Sequence, residues 1–368
     1  MSQPSHPVDT SDLFAIVLAG GSGTRFWPAS RAARPKQFLP IGDSAPLIVQ
    51  TFERLAGLVP AERVLVVTAR EQAHLVREHL PQLPAANVLE EPCARNTAAC
   101  VAWAALEVEK RHPGALQLVL PADHVIAPIS RFADTVRAAC EESRANGGLL
   151  TFGIRPTFAA TGYGYIETGP CIAARAGHAV HAVARFVEKP PRALAEEFLA
   201  TGRFLWNAGI FLWSGPHVLA ALREHANDVL APLEALVAGR ARIDDVYPKL
   251  RSSPIDVALM EKAHGVKTVP IDYTWSDVGS WTALEDLHAP DADGNWLNLS
   301  GGARLVAVDA HANVVHAETD EVIALVGVDG LVVVRAGNAT LVLPRERAQD
   351  VREIVARLKS SDGGAAFL

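Results

Sequence analysis

Through the first two thirds of the chain, short apolar runs alternate with segments whose apolar residues recur at helical spacing. Runs at 13–18, 63–68, 88–89, 116–120 and 148–154 read as strands, and 47–58, 70–80 and 96–111 as helices, the last with Asn96 or Thr97 as its N-cap. Alternation of this kind predicts parallel strands joined by helical crossovers, an α/β fold with a doubly wound, mostly parallel sheet. Beyond Arg155 the pattern loosens. Residues 163–167 and 182–187 read as a β excursion, 192–200 as a helix and 205–213 as a returning strand, so the sheet gains a lid. Helical stretches near 215–237 and 254–264 follow, then a strand at 266–270 and an aromatic loop over 272–281.

A cluster of Asp, Pro, Gly and Asn at 288–298 marks a linker. After it, 303–343 is dense in Val and Ala with interspersed turn residues, and 345–359 reads as a closing helix. The expected organisation is a polar tail over 1–12, an α/β domain over 13–287, a linker over 288–301, and a small β-rich domain with a terminal helix over 302–368. No firm repeat emerges to choose between a β-helix, a roll and a sandwich.

Composition narrows the function classes. At 368 residues the chain can bury a large core without disulfides or structural metal. Its 34 Lys and Arg against 41 acidic side chains give a net charge of −7 with no basic tract, which argues against a nucleic-acid partner and makes any phosphate site local. No apolar run approaches the roughly 18 residues of a membrane helix, and the N-terminal residues lack the cations of a targeting segment. Cys93, Cys100, Cys140 and Cys171 show no CxxC spacing and read as reduced thiols, so a cytoplasmic location is expected. Whether the chain pairs as a homodimer is left open.

The sharpest chemical signal is the run from Leu18 through Ala19, Gly20, Gly21, Ser22, Gly23 and Thr24 to Arg25, directly after the first strand. There, open α/β sheets bind ligands, glycines let backbone N–H groups approach an anion, and Arg25 adds a forked cation. A dinucleotide fingerprint fails because Phe26 stands where its last glycine belongs, and a Walker loop fails for want of Gly-Lys-Ser/Thr. The following segment carries Arg31, Arg34 and Lys36 among prolines that argue for a rigid loop. Lys36 at its end can reach back toward phosphates held by the glycines. Asp123, after the 116–120 strand, sits at the same sheet edge and offers a hard-cation ligand or a turn. Asp277 lies between Trp275 and Trp281, a setting able to hold a carboxylate rigidly. Glu188 and Lys189 offer an acceptor for hydroxyls and a cation for a phosphate, and Asn207 can both donate and accept. His74, Glu78 and His79 do not fit zinc-protease spacing.

Taken together, Gly20-Gly-Ser-Gly-Thr-Arg-Phe-Trp-Pro-Ala-Ser-Arg and Pro35-Lys-Gln-Phe-Leu resemble the N-terminal signature of sugar-phosphate nucleotidylyltransferases, the mannose-1-phosphate guanylyltransferase branch in particular. Further motifs resemble that family in its order: Glu91-Pro-Cys-Ala-Arg-Asn-Thr-Ala, Leu120-Pro-Ala-Asp-His, Gly162-Tyr-Gly-Tyr-Ile, Phe186-Val-Glu-Lys-Pro, Trp206-Asn-Ala-Gly-Ile-Phe and Trp275-Ser-Asp-Val-Gly-Ser-Trp. The match is looser at Ser252-Ser-Pro-Ile-Asp-Val-Ala-Leu-Met-Glu-Lys, where Val257 replaces a tyrosine, and at Thr97-Ala-Ala-Cys, where a proline is expected.

The resemblance implies a nucleotide-diphospho-sugar transferase, Rossmann-like fold. It implies GTP and mannose 1-phosphate as substrates, GDP-mannose and pyrophosphate as products, and Mg²⁺ held by Asp123 and Asp277. Nucleotide contacts fall to Leu18, Ala19, Gly20, Gly21, Gly23, Thr24, Arg25, Lys36, Asn96, Thr97 and Asp123. Sugar recognition falls to Gly164, Glu188, Lys189 and Asn207, and the catalytic cations are Arg25, Lys36 and Lys189. The absence of the isomerase domain found in longer relatives suggests a monofunctional enzyme. The alternatives are a nucleotidylyltransferase for another pair, such as glucose 1-phosphate with UTP or dTTP or a manno-heptose phosphate with GTP, and a non-catalytic homologue that binds nucleotide sugars.

Overall fold

A computed structural model describes residues 9–21 and 23–368, so most of the expected polar tail and Ser22 lie outside the described residues. Contacts divide the chain into two compact units that do not follow its linear order. The first gathers residues up to Gly20, Glu53–Pro121 and Ile126–Trp275; the second gathers Gly21–Phe52, Ala122–Val125 and Ser276–Leu368.

The first unit is built on a sheet of nine strands among the described residues, in the order Val88–Glu91, Val64–Ala69, Leu13–Ala19, Leu116–Pro121, Phe204–Ser214, Leu150–Ile154, Lys267–Ile271, His178–Val187, Tyr165–Arg175. The first four pair in parallel; Phe204–Ser214 and His178–Val187 run against the rest. Continuous apolar runs such as Leu13–Ala19 suit strands covered on both faces, and this one is buried along nearly its whole length. The helix Asn96–Arg111 is also apolar almost all round and packs into the same core with Trp213, Leu222, Leu230 and Tyr247. Strand order reverses direction between Leu13–Ala19 and Leu116–Pro121, the switch point where such sheets open a crevice beyond their carboxyl ends. There Leu18 lies opposite Pro121 and Ala19 opposite Thr68.

Most expected elements appear with shifted ends. The single helical stretch expected near 215–237 is two helices, Gly215–His225 and Asn227–Val237. The helix expected over 254–264 is instead one π turn, Asp256–Met260, in which Glu261 N–H donates to Asp256 O at 2.9 Å. A strongly periodic apolar pattern is satisfied by any tight turn that buries Ala258, Leu259 and Met260, so periodicity alone could not choose between them.

The second unit contains a repeat. Trp296–Leu299, Val314–Ala317 and Leu331–Ala336 pair in parallel with Trp296 opposite Val314 and Val314 opposite Val332, while Arg304–Val308 pairs with Val322–Val326. The registers repeat every 18 residues, as does the Asn295–Asn313 contact. The chain therefore winds as a parallel coil around Ala310, Val315, Leu325 and Val333. Positive φ at Gly294, Ala312 and Gly330 turns each corner at the same place. The coil stops where Ala339–Pro344 folds back antiparallel on Leu331–Ala336, and the helix Val351–Ser360 follows.

The segment bearing the glycine and lysine motifs belongs to this second unit. Phe26, Trp27, Leu39 and Leu47 share one apolar cluster with Trp281, Val332, Val334 and Val351. Trp281 Nε1–H donates to Trp27 O at 3.3 Å, and its ring lies 4.8 Å from Phe26. No helix among the described residues is long and apolar enough to cross a membrane.

A stacked asparagine pair holds the coil in register. Asn313 N–H and Nδ2 each donate to Asn295 Oδ1 at 3.0 Å, Asn313 Oδ1 accepts from Leu331 N–H at 2.9 Å, and both side chains are fully buried. Asn313→Ala leaves these buried groups unmet and should cost about 2 kcal/mol, read as a lower urea midpoint with far-UV signal otherwise unchanged.

Candidate active site

In the second unit, Lys36 is the centre. The 3-10 turn Lys36–Phe38 follows Pro35, whose fixed φ sets its direction. Lys36 Nζ donates to Asp123 Oδ2 at 2.8 Å and to Asp277 O at 2.6 Å, and it lies 5.7 Å from the Phe26 ring centroid. The lysine is buried, whereas about a third of the Asp123 side chain is exposed. Burial pushes the Asp123 carboxyl up, but the charges of Lys36 and His124 outweigh it and hold the group below its ordinary range. The structure thus brings Lys36, Asp123 and Asp277 together.

Gly23 explains how the lysine fits. It has φ of 56°, and a Cβ built there would lie 2.3 Å from Lys36 Cβ, so no other residue allows this approach. Gly21 has φ of 100° with open space around its Cβ position, as a backbone that admits a ligand requires. Thr24 and Arg25 form the adjoining 3-10 turn Thr24–Phe26, and Arg25 makes no hydrogen bond or ion pair with another described residue. Arg31 and Arg34 behave differently. Arg31 donates to Pro28 O and Asn338 Oδ1, and Arg34 pairs with Glu318, so both cations anchor the loop to the coil.

In the first unit a separate polar group forms around Asn207. Asn207 N–H donates to Gly164 O at 2.8 Å, its Oδ1 accepts from Thr151 Oγ1 at 2.8 Å, and its Nδ2 donates to Asp256 Oδ1 at 2.9 Å. A Cβ on Gly164 would meet Glu188 Oε2 at 2.7 Å, so this glycine makes room for the carboxylate. Glu188 pairs with Lys189, whose φ is 46°, and Glu188 N–H donates to Glu261 Oε1 at 2.9 Å. Gly164, Glu188, Lys189 and Asn207 are therefore neighbours.

Leu18 and Ala19 end the strand at the switch point and Gly20 follows it, with the Gly20 Cβ position 3.9 Å from Glu91 Oε2. Asn96 opens its helix with φ of 62° and accepts from Thr97 N–H at 2.8 Å. Neither Asn96 nor Thr97 is the N-cap, a position that falls to Arg95. Thr97 Oγ1 accepts from Ile255 N–H at 2.8 Å and Ala98 N–H donates to Ser253 O, so this helix start holds the segment leading to Asp256.

Three carboxylates were given no role from sequence. Glu91 is buried, and its Oε1 accepts from Tyr247 Oη at 2.5 Å and Cys100 Sγ at 3.1 Å; burial raises its carboxyl. Asp256 and Glu261 lie in the segment that matched the family only loosely. Their signal was the spacing itself, because a π turn sets i and i+5 together where an α-helix would not.

Residues 14–294 match the Nucleotidyl transferase family, and residues 303–358 match a MannoseP isomerase/GMP-like beta-helix domain. The chain belongs to the nucleotidyl transferase family. It is 40% identical to the Xanthan biosynthesis protein XanB of Xanthomonas campestris pv. campestris strain B100, across 95% of this chain and 74% of that protein. It is 38% identical to a mannose-1-phosphate guanylyltransferase of Klebsiella pneumoniae, again over 95% and 74%. A crystal structure described as mannose-1-phosphate geranyltransferase from Thermus thermophilus superposes with a TM-score of 0.86 and 38% identity, covering 95% of this chain and 99% of that one. The nucleotidyl transferase fold and the α/β class expected from sequence are thereby established, and the 18-residue coil is a β-helix.

In this nucleotidyl transferase, Asp256 gives a pH signature. Burial first, and then the charge of Glu188, raise its carboxyl from the usual 3.8 to about 7. The folded protein therefore keeps a proton that the unfolded chain releases near pH 4, and this contribution to stability is lost as pH rises through 7. Asp256→Asn removes the effect, so the melting temperature of the variant minus that of the parent should grow between pH 5 and pH 8.

Proposed function

We propose that the chain transfers a guanylyl group from GTP to α-D-mannose 1-phosphate, giving GDP-mannose and pyrophosphate. The observation that carries this reading is the buried Lys36, a cation fixed between Asp123 and the backbone of Asp277 beside a glycine loop with open backbone. The names of the relatives at 36–39% identity supply the substrate pair.

An oxygen of the sugar phosphate attacks the α-phosphorus in line. A new P–O bond forms as the bond to the β-phosphate oxygen breaks, and pyrophosphate leaves with that electron pair. The attacking oxygen is already ionised near neutral pH, so no protein nucleophile or base is needed. The obstacle is repulsion between anions and the charge growing on the leaving group, which preorganised cations offset. Lys36 supplies a cation whose direction is fixed before substrate arrives. Arg25, without a described partner, is available to the triphosphate. Lys189 supplies charge for the sugar phosphate, with Glu188 and Asn207 as partners for sugar hydroxyls and Gly164 leaving space for them.

The Asp123 and Asp277 carboxylates would hold Mg²⁺, which when bound neutralises triphosphate charge. Asp123 fits such a cation, because it is kept anionic and Lys36 engages only its Oδ2. The reaction is taken to run in the cytoplasm.

Pyrophosphate release over a panel of nucleoside triphosphates and sugar 1-phosphates tests the assignment; GTP with mannose 1-phosphate should be fastest, and a preference for UTP or dTTP with glucose 1-phosphate would replace it. Lys36→Ala should lower kcat on the order of a hundredfold in a variant whose far-UV circular dichroism shows it to be folded. Gly164→Ala displaces Glu188 and should raise KM for the sugar phosphate severalfold more than KM for GTP, as initial-rate kinetics with each substrate varied in turn will show.

A further inference from the structure

The loop carrying Lys36 is gripped on both sides by one polar chain from the β-helix. Asn298 Nδ2 donates to Pro40 O at 3.3 Å and to His316 Nδ1 at 3.0 Å. An amide nitrogen only donates, so His316 Nδ1 accepts and the ring proton sits on Nε2. From there it is donated to Glu318 Oε1 at 3.3 Å, and Glu318 Oε2 binds the Arg34 guanidinium. Arg34 and Pro40 bracket Lys36 in the chain, and the network thus closes from one side of the lysine to the other. His316 is 1% exposed and lies 4.7 Å from the Trp281 ring, which itself binds Trp27 O and so fixes the other strand of the same loop.

Each link has a reason to be strong. Glu318 is largely buried, and burial would raise its carboxyl, but the hydrogen bonds from His316 and Arg34 and the charge of Arg34 hold it below the ordinary range. Its charge is therefore retained and the pair with Arg34 is charge-assisted. Asn298 and His316 lie opposite each other on two adjacent coil strands, and Glu318 directly follows the second of them. The coil that the stacked asparagines keep in register is thus also what sets the spacing between the two grips.

We propose that Asn298, His316 and Glu318 are positioning residues for Lys36: the β-helix fixes the ammonium group through a relay that holds both flanks of its loop. This rests on reading Lys36 as a catalytic cation. Loosening the relay leaves the fold intact but lets Nζ wander from its site, and a displacement of about 1 Å in such a group can cost on the order of a hundredfold in rate.

Two measurements separate this proposal from the functional reading beneath it. The first needs no activity. In the full chain, acylation of individual lysines by an amine-reactive ester is followed by peptide mass spectrometry. Lys36 should react slowly in the parent and about tenfold faster in His316→Phe, which keeps the ring against Trp281 but removes both hydrogen bonds, and in Asn298→Ala, which is less buried and keeps the fold even if the histidine variant does not. The exposed lysines should not change. Unchanged Lys36 reactivity in Asn298→Ala, or in a folded His316→Phe, overturns the proposal. The second is a double-mutant cycle read by pyrophosphate release, using whichever substrate pair the panel selects. If the relay acts through Lys36, His316→Phe or Asn298→Ala lowers kcat tenfold or more in the parent and has little further effect in the Lys36→Ala background. Losses that multiply in both backgrounds indicate a general structural role and overturn it. Near-normal turnover by Lys36→Ala alone sinks the catalytic reading of Lys36 while the acylation result still stands for or against the grip.

Discussion

A lysine side chain buried to 6% exposure cannot stand without an anionic or carbonyl partner, because removing a charge from water costs several kcal/mol unless it is paired and hydrogen-bonded. For Lys36 the partners are Asp123 and the carbonyl of Asp277, 87 and 241 positions away in the chain. Three distant segments must therefore meet at one nitrogen. Much of the second unit follows from that demand. Gly23 must be glycine so that the chain can pass against Lys36, and Trp27 and Phe26 must pack on Trp281 so that the loop after the glycines has a fixed path. The cations flanking the lysine bind the coil and do not repel it: Arg31 through Asn338, Arg34 through Glu318.

The Asn207 group obeys the same economy with the signs exchanged. Glu188 and Asp256 lie close enough that the charge of one raises the carboxyl of the other, and Lys189 and the Asn207 amide relieve the repulsion. Paired acids with a nearby amide suit the hydroxyls of a ligand, which can both donate to and accept from such groups. A site built from a buried cation and an anionic carboxylate suits a phosphate with its counter-ion.

What was legible in the sequence has local causes. The Leu13–Ala19 run is apolar and β-rich, the 96–111 helix is apolar almost all round, and the glycines and prolines mark turns, so the α/β sheet and the ligand edge followed from periodicity and spacing. The candidate residues were likewise picked by type and order; the structure sets Lys36 beside Asp123 and Asp277, and Asn207 and Glu188 beside Gly164. The β-helix was harder. Its 18-residue period is present in the chain, at Gly294-Asn295, Ala312-Asn313 and Gly330-Leu331, but only about two full turns are written, and Ala and Leu replace Gly and Asn at alternate corners. A repeat so short is hard to distinguish from ordinary turn composition until the pairing of strands reveals it.

Residue chemistry and spacing by themselves determined an α/β sheet with a glycine loop at its carboxyl edge, followed by a β-rich segment; the resemblance of the ordered motifs added the nucleotidyl transferase family. Tertiary structure decided which of the chain's charges are available. Arg25, Arg31, Arg34 and Lys36 look alike in sequence, yet one has no described partner, two are bound to the coil and one is buried on Asp123. It also turned a predicted helix into a π turn that presents Asp256 and Glu261 to the Asn207 group. The physical reason is range: backbone propensity and hydrophobic periodicity act over a few residues, whereas the state of a charge depends on whatever the fold brings within a few ångströms of it.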